Sequence, residues 1–198
     1  MGRDSRGNAV GVRPLNWVVR PHMRILSYDE GSGTLVVMLR GIPRYEVFDV
    51  PLTTVQELRG STDPQAFFNE HIWGNNFEHD SNWPSLPTLL EYMGEHMLFD
   101  LPVTVNSTKG DNDTPLHVAC VWGDLTAIDL LLAGGANVNA QGDNGCTPIY
   151  NAVSFERVRS VARLLRAGAT VDDPNELNCT ARQEALQSKN AHLRALFQ

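Results

Sequence analysis

Cysteine is scarce in this chain. Three occur in 198 residues, Cys120, Cys146 and Cys179, with no C-x-x-C pair. That excludes a disulfide framework and a cysteine-based zinc site, and it makes a reducing, cytoplasmic setting the expected one. Long apolar runs are missing as well. Runs such as Leu35 to Leu39 reach only five residues, far short of the ~18 that a membrane span needs. Arg3, Arg6, Arg13 and Arg20 fall in the first twenty residues with no apolar segment between them, so no export signal of the usual kind is read. Arg6 stands where Met1-Gly2 myristoylation would need Ser or Thr. No G-x-S-x-G, Walker loop, G-x-G-x-x-G or Ser/His/Asp order is found. Neither a catalytic residue nor a cofactor is expected.

The composition is that of an ordinary globular protein, 42% hydrophobic and 20% charged. The net charge of −7 is unevenly spread. Residues 1–24 hold five Arg against Asp4, residues 25–100 hold three Arg against twelve acids, and residues 101–198 hold eight bases against ten acids. An acidic middle repels nucleic acid and speeds encounter with a basic protein surface. Protein is therefore the expected partner, and nucleic acid and membrane are not.

Residues 1–21, rich in Gly, Arg and Asn, read as a flexible arm. From Met23 the pattern changes. Ile25 to Asp29, Thr34 to Leu39 and Arg44 to Val50 are strand-like, separated by Glu30-Gly31-Ser32-Gly33 and Gly41-Ile42-Pro43, and predict a three-stranded meander. Beyond Pro51, the spacing of Val55, Leu58, Phe67, Phe68 and Ile72 predicts two short helices over 52–58 and 64–72. The result is a small α+β domain. Tyr28-Asp29, Leu35, Val37, Tyr45, Val50-Pro51, Val55, Leu58, Ser61, Phe67-Phe68-Asn69 and Ile72 resemble the KTSC domain, a module named for its occurrence in some lysyl-tRNA synthetases. The resemblance implies a fold more than a function.

The second half repeats itself. Thr114-Pro115-Leu116-His117 recurs 33 residues later as Thr147-Pro148-Ile149-Tyr150, and the same offset carries Gly135-Ala136 onto Gly168-Ala169 and Val138-Asn139 onto Val171-Asp172. Thr at the N-cap, Pro at N1 and a closing Gly define the ends of helix-turn-helix units. The second helices are expected over 125–132 and 158–165. Motif and period resemble the ankyrin-repeat family over 109–198, implying an α-helical solenoid and a non-catalytic binding role. A third unit from Asn178 reads as a cap, and Leu86 to Asn106 as a degenerate N-terminal repeat. The expected boundaries are 1–21 for the arm, 22–80 for the KTSC-like domain, 81–108 for a linker with the degenerate repeat, and 109–198 for the repeats.

Ankyrin-like proteins bind through loop tips and outward positions of the first helix. On that map Val121-Trp122 and Ser154-Phe155-Glu156 occupy corresponding places, with Trp122 and Phe155 expected side by side as an aromatic anchor. Asp111, Asp113, Asp143, Asn144 and Glu176 form an acidic rim, joined by Glu70, Glu78 and Asp80 from a solvated acidic linker. Glu70, His71, Glu78, His79 and Asp80 have no zinc spacing, and a lone His117 and Cys120 cannot complete a metal shell; no metal site is expected. The resemblance assigns His117 to hydrogen bonding between adjacent repeats. Taken together, these features suggest a bacterial immunity protein that blocks a basic toxin domain such as a nuclease or ADP-ribosyltransferase. RNA or tRNA association through the KTSC-like domain, and a generic ankyrin scaffold, are the alternatives.

Overall fold

The computed structural model describes residues 23–39, 42–73, 77–81 and 83–198; the arm expected over 1–21 lies outside them. Strands β1 (Arg24–Asp29), β2 (Thr34–Leu39) and β3 (Ile42–Val47) form the antiparallel meander that the alternating pattern predicts. Leu35 pairs with Tyr28 and Val47, and Val37 with Ile25 and Tyr45. This register collects Leu35, Val37, Tyr45 and Val47 into one core. Helices α1 (Leu52–Gly60) and α2 (Pro64–Phe68), the latter continued by a π-helical turn over Asn69–Trp73, add Val55, Leu58, Phe68 and Ile72 to it. Tyr28 Oη closes the layer by donating to the Val50 carbonyl at 2.7 Å.

A fourth strand, β4 (His79–Asp80), was not foreseen. It pairs with β3 through Val47↔His79 and Glu46↔Asp80, so the stretch expected to be a solvated linker is part of the sheet. Helix α3 (Leu86–His96) follows, and three helix pairs come after it: α4 (Pro115–Trp122) with α5 (Leu125–Ala133), α6 (Pro148–Ser154) with α7 (Val158–Arg166), and α8 (Ala181–Gln187) with α9 (Ala191–Ala195). Their buried Leu, Ile, Val and Ala side chains form a second core, separate from that of the sheet, with Leu89 and Met93 of α3 at one end and Leu193 and Phe197 at the other.

The 33-residue period persists in the hydrogen bonds. At each tip an N–H donates to the carbonyl four residues on: Lys109 to Asp113 at 3.1 Å, Gly142 to Cys146 at 2.8 Å, and Asn175 to Cys179 at 2.9 Å. Each turn contains a left-handed residue in the same register, Asn112, Gly145 and Asn178. Asn and Gly suit that conformation, which most side chains avoid. Asn106 and Asn139 repeat one another likewise. Asn106 Oδ1 accepts from Asn137 N at 2.8 Å and its Nδ2 donates to Gly135 O at 3.3 Å; Asn139 makes the same bonds to Thr170 N at 2.9 Å and Gly168 O at 3.5 Å. The segment before the first helix pair thus makes the same loop bonds as the segment after it, with α3 where the later segments have a helix pair.

Candidate functional site: the loop tips and the junction of the two cores

Along the tips, the acids differ in how far they are engaged and exposed. Lys109 bridges Asp111 and Asp113, and it holds the Asp111 carboxyl below its ordinary range against the opposing effect of partial burial. Asp113 also accepts from Asp143 N at 3.2 Å, so this side chain joins successive tips and is largely withdrawn from solvent. Asp111, Asp143, Asn144 and Glu176 remain exposed. Behind them, His117 is fully buried. Its Nδ1 accepts from Thr114 N at 3.0 Å and its Nε2 lies 3.0 Å from the Cys146 carbonyl, where it donates across to the next unit. Burial holds its pKa below 6.5, which favours the neutral ring that this pairing needs. The Cys120 thiol, buried behind it, is pushed well up by desolvation.

At the opposite ends of the helix pairs the two halves of the chain meet. Helices α5, α7 and α9 are preceded by Asp124, Arg157 and Asn190, which follow one another at the repeat interval. Asp124 and Asn190 cap their own helices, accepting from Ala127 N at 3.1 Å and from His192 N at 3.0 Å. Arg157 does not. Its place is taken by Glu78, immediately before β4: Oε2 accepts from Arg159 N at 2.7 Å, and Oε1 from Ser160 N at 2.6 Å and Ser160 Oγ at 2.7 Å. These are the second and third helical amides, the donors that an N-cap side chain normally satisfies, and a carboxylate there also meets the positive end of the helix dipole.

Released from capping, Arg157 turns to the preceding unit. Its Nε and Nη2 donate to Val121 O at 3.2 and 2.9 Å, near the carbonyl end of α4. Gly123 makes room for it, since a Cβ there would lie 2.9 Å from Arg157 Cδ and Nε. Burial lowers the guanidinium's pKa to about 10, with Glu78 and Tyr45 opposing the shift, and its Nη1 is buried with no hydrogen-bond partner among the described residues. Asp124 ties the seam on the other side. Beyond its own helix it accepts from Ser81 Oγ and from Trp83 Nε1 at 2.8 Å, and His79 Nε2 lies 3.7 Å away. Burial alone would raise its pKa, but the bonds from His79, Ser81 and Ala127 hold it below 3.8. Asp80 accepts from Thr126 Oγ1, and His79 N donates to Gly123 O at 3.0 Å. The ring of His79 stacks on Tyr45 with centroids 5.2 Å apart.

Beside this seam lies an open groove of about 820 Å³. One wall is Phe48, Asp49 and Phe77; the other is Ser154, Phe155, Glu156, Val158 and Arg159; Asn190 and His192 close one side. Arg159 crosses it, its guanidinium carbon 4.5 Å above the Phe48 ring centroid and its Nη1 paired with Asp49.

Two family models match separate stretches: residues 116–166 match ankyrin repeats (many copies), and residues 22–77 match the KTSC domain. The first part of the chain is thus similar to the KTSC domain and the second to ankyrin repeats. No curated protein matches it significantly. Ankyrin repeats indicate a protein-interaction module, no enzymatic family is indicated, and among the described residues no helix is long and apolar enough to cross a membrane.

The expected site residues therefore fall into different environments. Trp122 is half-buried, edge-on to Tyr92 of α3 with centroids 6.4 Å apart. Phe155, 39% exposed, lines the groove against the KTSC domain. α3 thus partly covers the Trp122 ring, while the Phe155 ring stands open at the groove. Val121 is half-buried and gives its carbonyl to Arg157. Ser154 and Glu156 are exposed at the groove. Glu78 and Asp80 are corrected from a solvated rim to the inter-domain seam, since both carboxylates are spent on α7 and α5. Glu70 stays exposed, 3.7 Å from His71. Phe48, Asp49, Asn190 and His192 were missed by sequence reasoning, because nothing local in the sequence marks residues that meet only across the junction.

Proposed function

We propose that this chain is a non-catalytic binder of the immunity type, whose ankyrin repeats form a short solenoid that covers a basic toxin domain and blocks its active site. The domain limits that go with this reading are 22–80 for the KTSC domain, 81–108 for the degenerate repeat and its linker, and 109–198 for the repeats. The observation that carries it is the row of tips. Three turns of one geometry recur at 33-residue intervals, and Asp111, Asp143, Asn144 and Glu176 project from them while the core behind needs none of these side chains. A rim of this sign on a chain of net charge −7 favours a basic protein and disfavours nucleic acid. The exposed ring of Phe155 supplies the kind of apolar anchor that dominates binding energy.

The test is co-expression with the product of the neighbouring gene, reading growth and co-purification. The wild-type chain is expected to restore growth and to bring down a basic protein in equal ratio. The combined Asp111→Asn, Asp143→Asn and Glu176→Gln variant should lose both, with its helix content unchanged. Capture of RNA in place of protein would transfer the function to the KTSC domain and end this proposal.

A further inference from the structure

We infer that the junction groove receives an extended segment of a protein partner in which apolar and basic side chains alternate. This rests on the protein-binding reading above and names the chemistry of the partner at one place. Three phenyl rings, Phe48, Phe77 and Phe155, come from both halves of the chain to line a space of about 820 Å³, within the size range of recognition pockets. Phe155 stands 39% exposed there, on a short turn where a large apolar side chain serves no core.

The charges around the rings select the occupant. Arg159 is already committed, stacked on Phe48 and paired with Asp49. Glu78 is buried and consumed by the α7 amides. What remains open at the rim is the Glu156 carboxylate, whose Oε1 accepts a hydroxyl hydrogen bond from Ser188 at 2.8 Å; both Asp49 oxygens are already engaged by Arg159. Asn190 and His192 add hydrogen-bonding groups on the third side. A carboxylate flanking phenyl faces complements Lys or Arg side chains, whose stems pack on the rings while their heads reach the acid. An extended chain sends alternate side chains to opposite faces, so it can seat apolar groups between the rings and offer basic groups to the rim.

Fluorescence anisotropy with a labelled Leu-Arg-Leu-Arg-Leu-Arg peptide, the intact chain and two variants provides the test. Glu-for-Arg and Gly-for-Leu versions of the peptide serve as comparisons. The Leu-Arg peptide should bind saturably and the Glu version should not, with the Gly version weaker. Phe155→Ala and Glu156→Gln, both at exposed positions, should each weaken binding about fivefold or more, while Glu91→Gln, exposed on α3 away from the groove and the tips, leaves it unchanged. Binding indifferent to both groove substitutions, equal binding of the Glu peptide, or no saturable binding at all would overturn the inference. None of these outcomes touches the co-expression result with the tip variants, so the groove can fail while the interaction reading stands.

Discussion

The Glu78 carboxylate takes three hydrogen bonds from the first turn of α7 while 6% exposed. Glu78→Ala strips all three donors of their acceptor and leaves two of them buried, which should cost about 2 kcal/mol. For a chain of this length that lowers Tm by roughly 4–8 °C. Glu70→Ala, eight positions earlier on an exposed turn, should stay within about 0.5 kcal/mol. Calorimetry on the two variants decides the matter, and equal melting temperatures would refute the capping role. Gly123 offers a second test. Its φ of +72° and the closeness of Arg157 make Gly123→Ala costly by about 1–3 kcal/mol. Glu156 holds the matching repeat position at φ +56° but faces the open groove, so Glu156→Gly should be neutral or stabilising by the same calorimetry.

Among the elements, the helix pairs were legible because each carries its own punctuation. Thr114, Thr147 and Thr180 start α4, α6 and α8, and Gly135 and Gly168 stop α5 and α7. The meander and its two helices were readable from alternation and turn residues, although β3 takes in Ile42 and Pro43, expected in the turn, and ends at Val47 and not Val50. Asn106 was the one clear mark of the degenerate unit, and its bonds repeat those of Asn139. Asn106→Ala and Asn139→Ala should therefore destabilise by similar amounts, about 1 kcal/mol each; a silent Asn106 variant in thermal melts would show that the first unit has no such structural part. Strand β4 could not be read, since two residues give no alternation and their pairing is decided by distant β3. One signal of the seam did exist. The repeat register runs Asp124, Arg157, Asn190, two good cap residues with a cation between them, and a helix with a missing cap in a regular array implies a donor of caps elsewhere. The acids of 70–80 were noticed, but no periodicity connects position 78 with position 160.

Across the whole molecule, the buried titratable groups set the response to acid. His117 has its pKa lowered from 6.5 by burial. Its neutral form is the folded one, so its contribution is complete above about pH 6.5 and is lost as pH falls through the lower folded value. Asp124, lowered from 3.8, contributes above that value and fails as pH falls further, through its own folded pKa. Stability should fall in two stages on acidification, the repeats weakening before the seam. His117→Gln, which copies the residue that Gln183 provides at the corresponding place, should remove the first stage in a series of melts against pH and leave the second. A single-stage profile unchanged by the substitution would refute this account.

The bond between Glu78 and α7 also has a direction in time. Residue 78 leaves the ribosome some eighty residues ahead of Ser160, so the acceptor for the α7 amides is waiting in a sheet already able to form when that helix emerges. The first half of the chain thus acts as a template against which the second repeat is completed as it is made. A circularly permuted chain that begins at the repeats and ends with the sheet would reverse this order, and its α7 would remain uncapped until synthesis was finished.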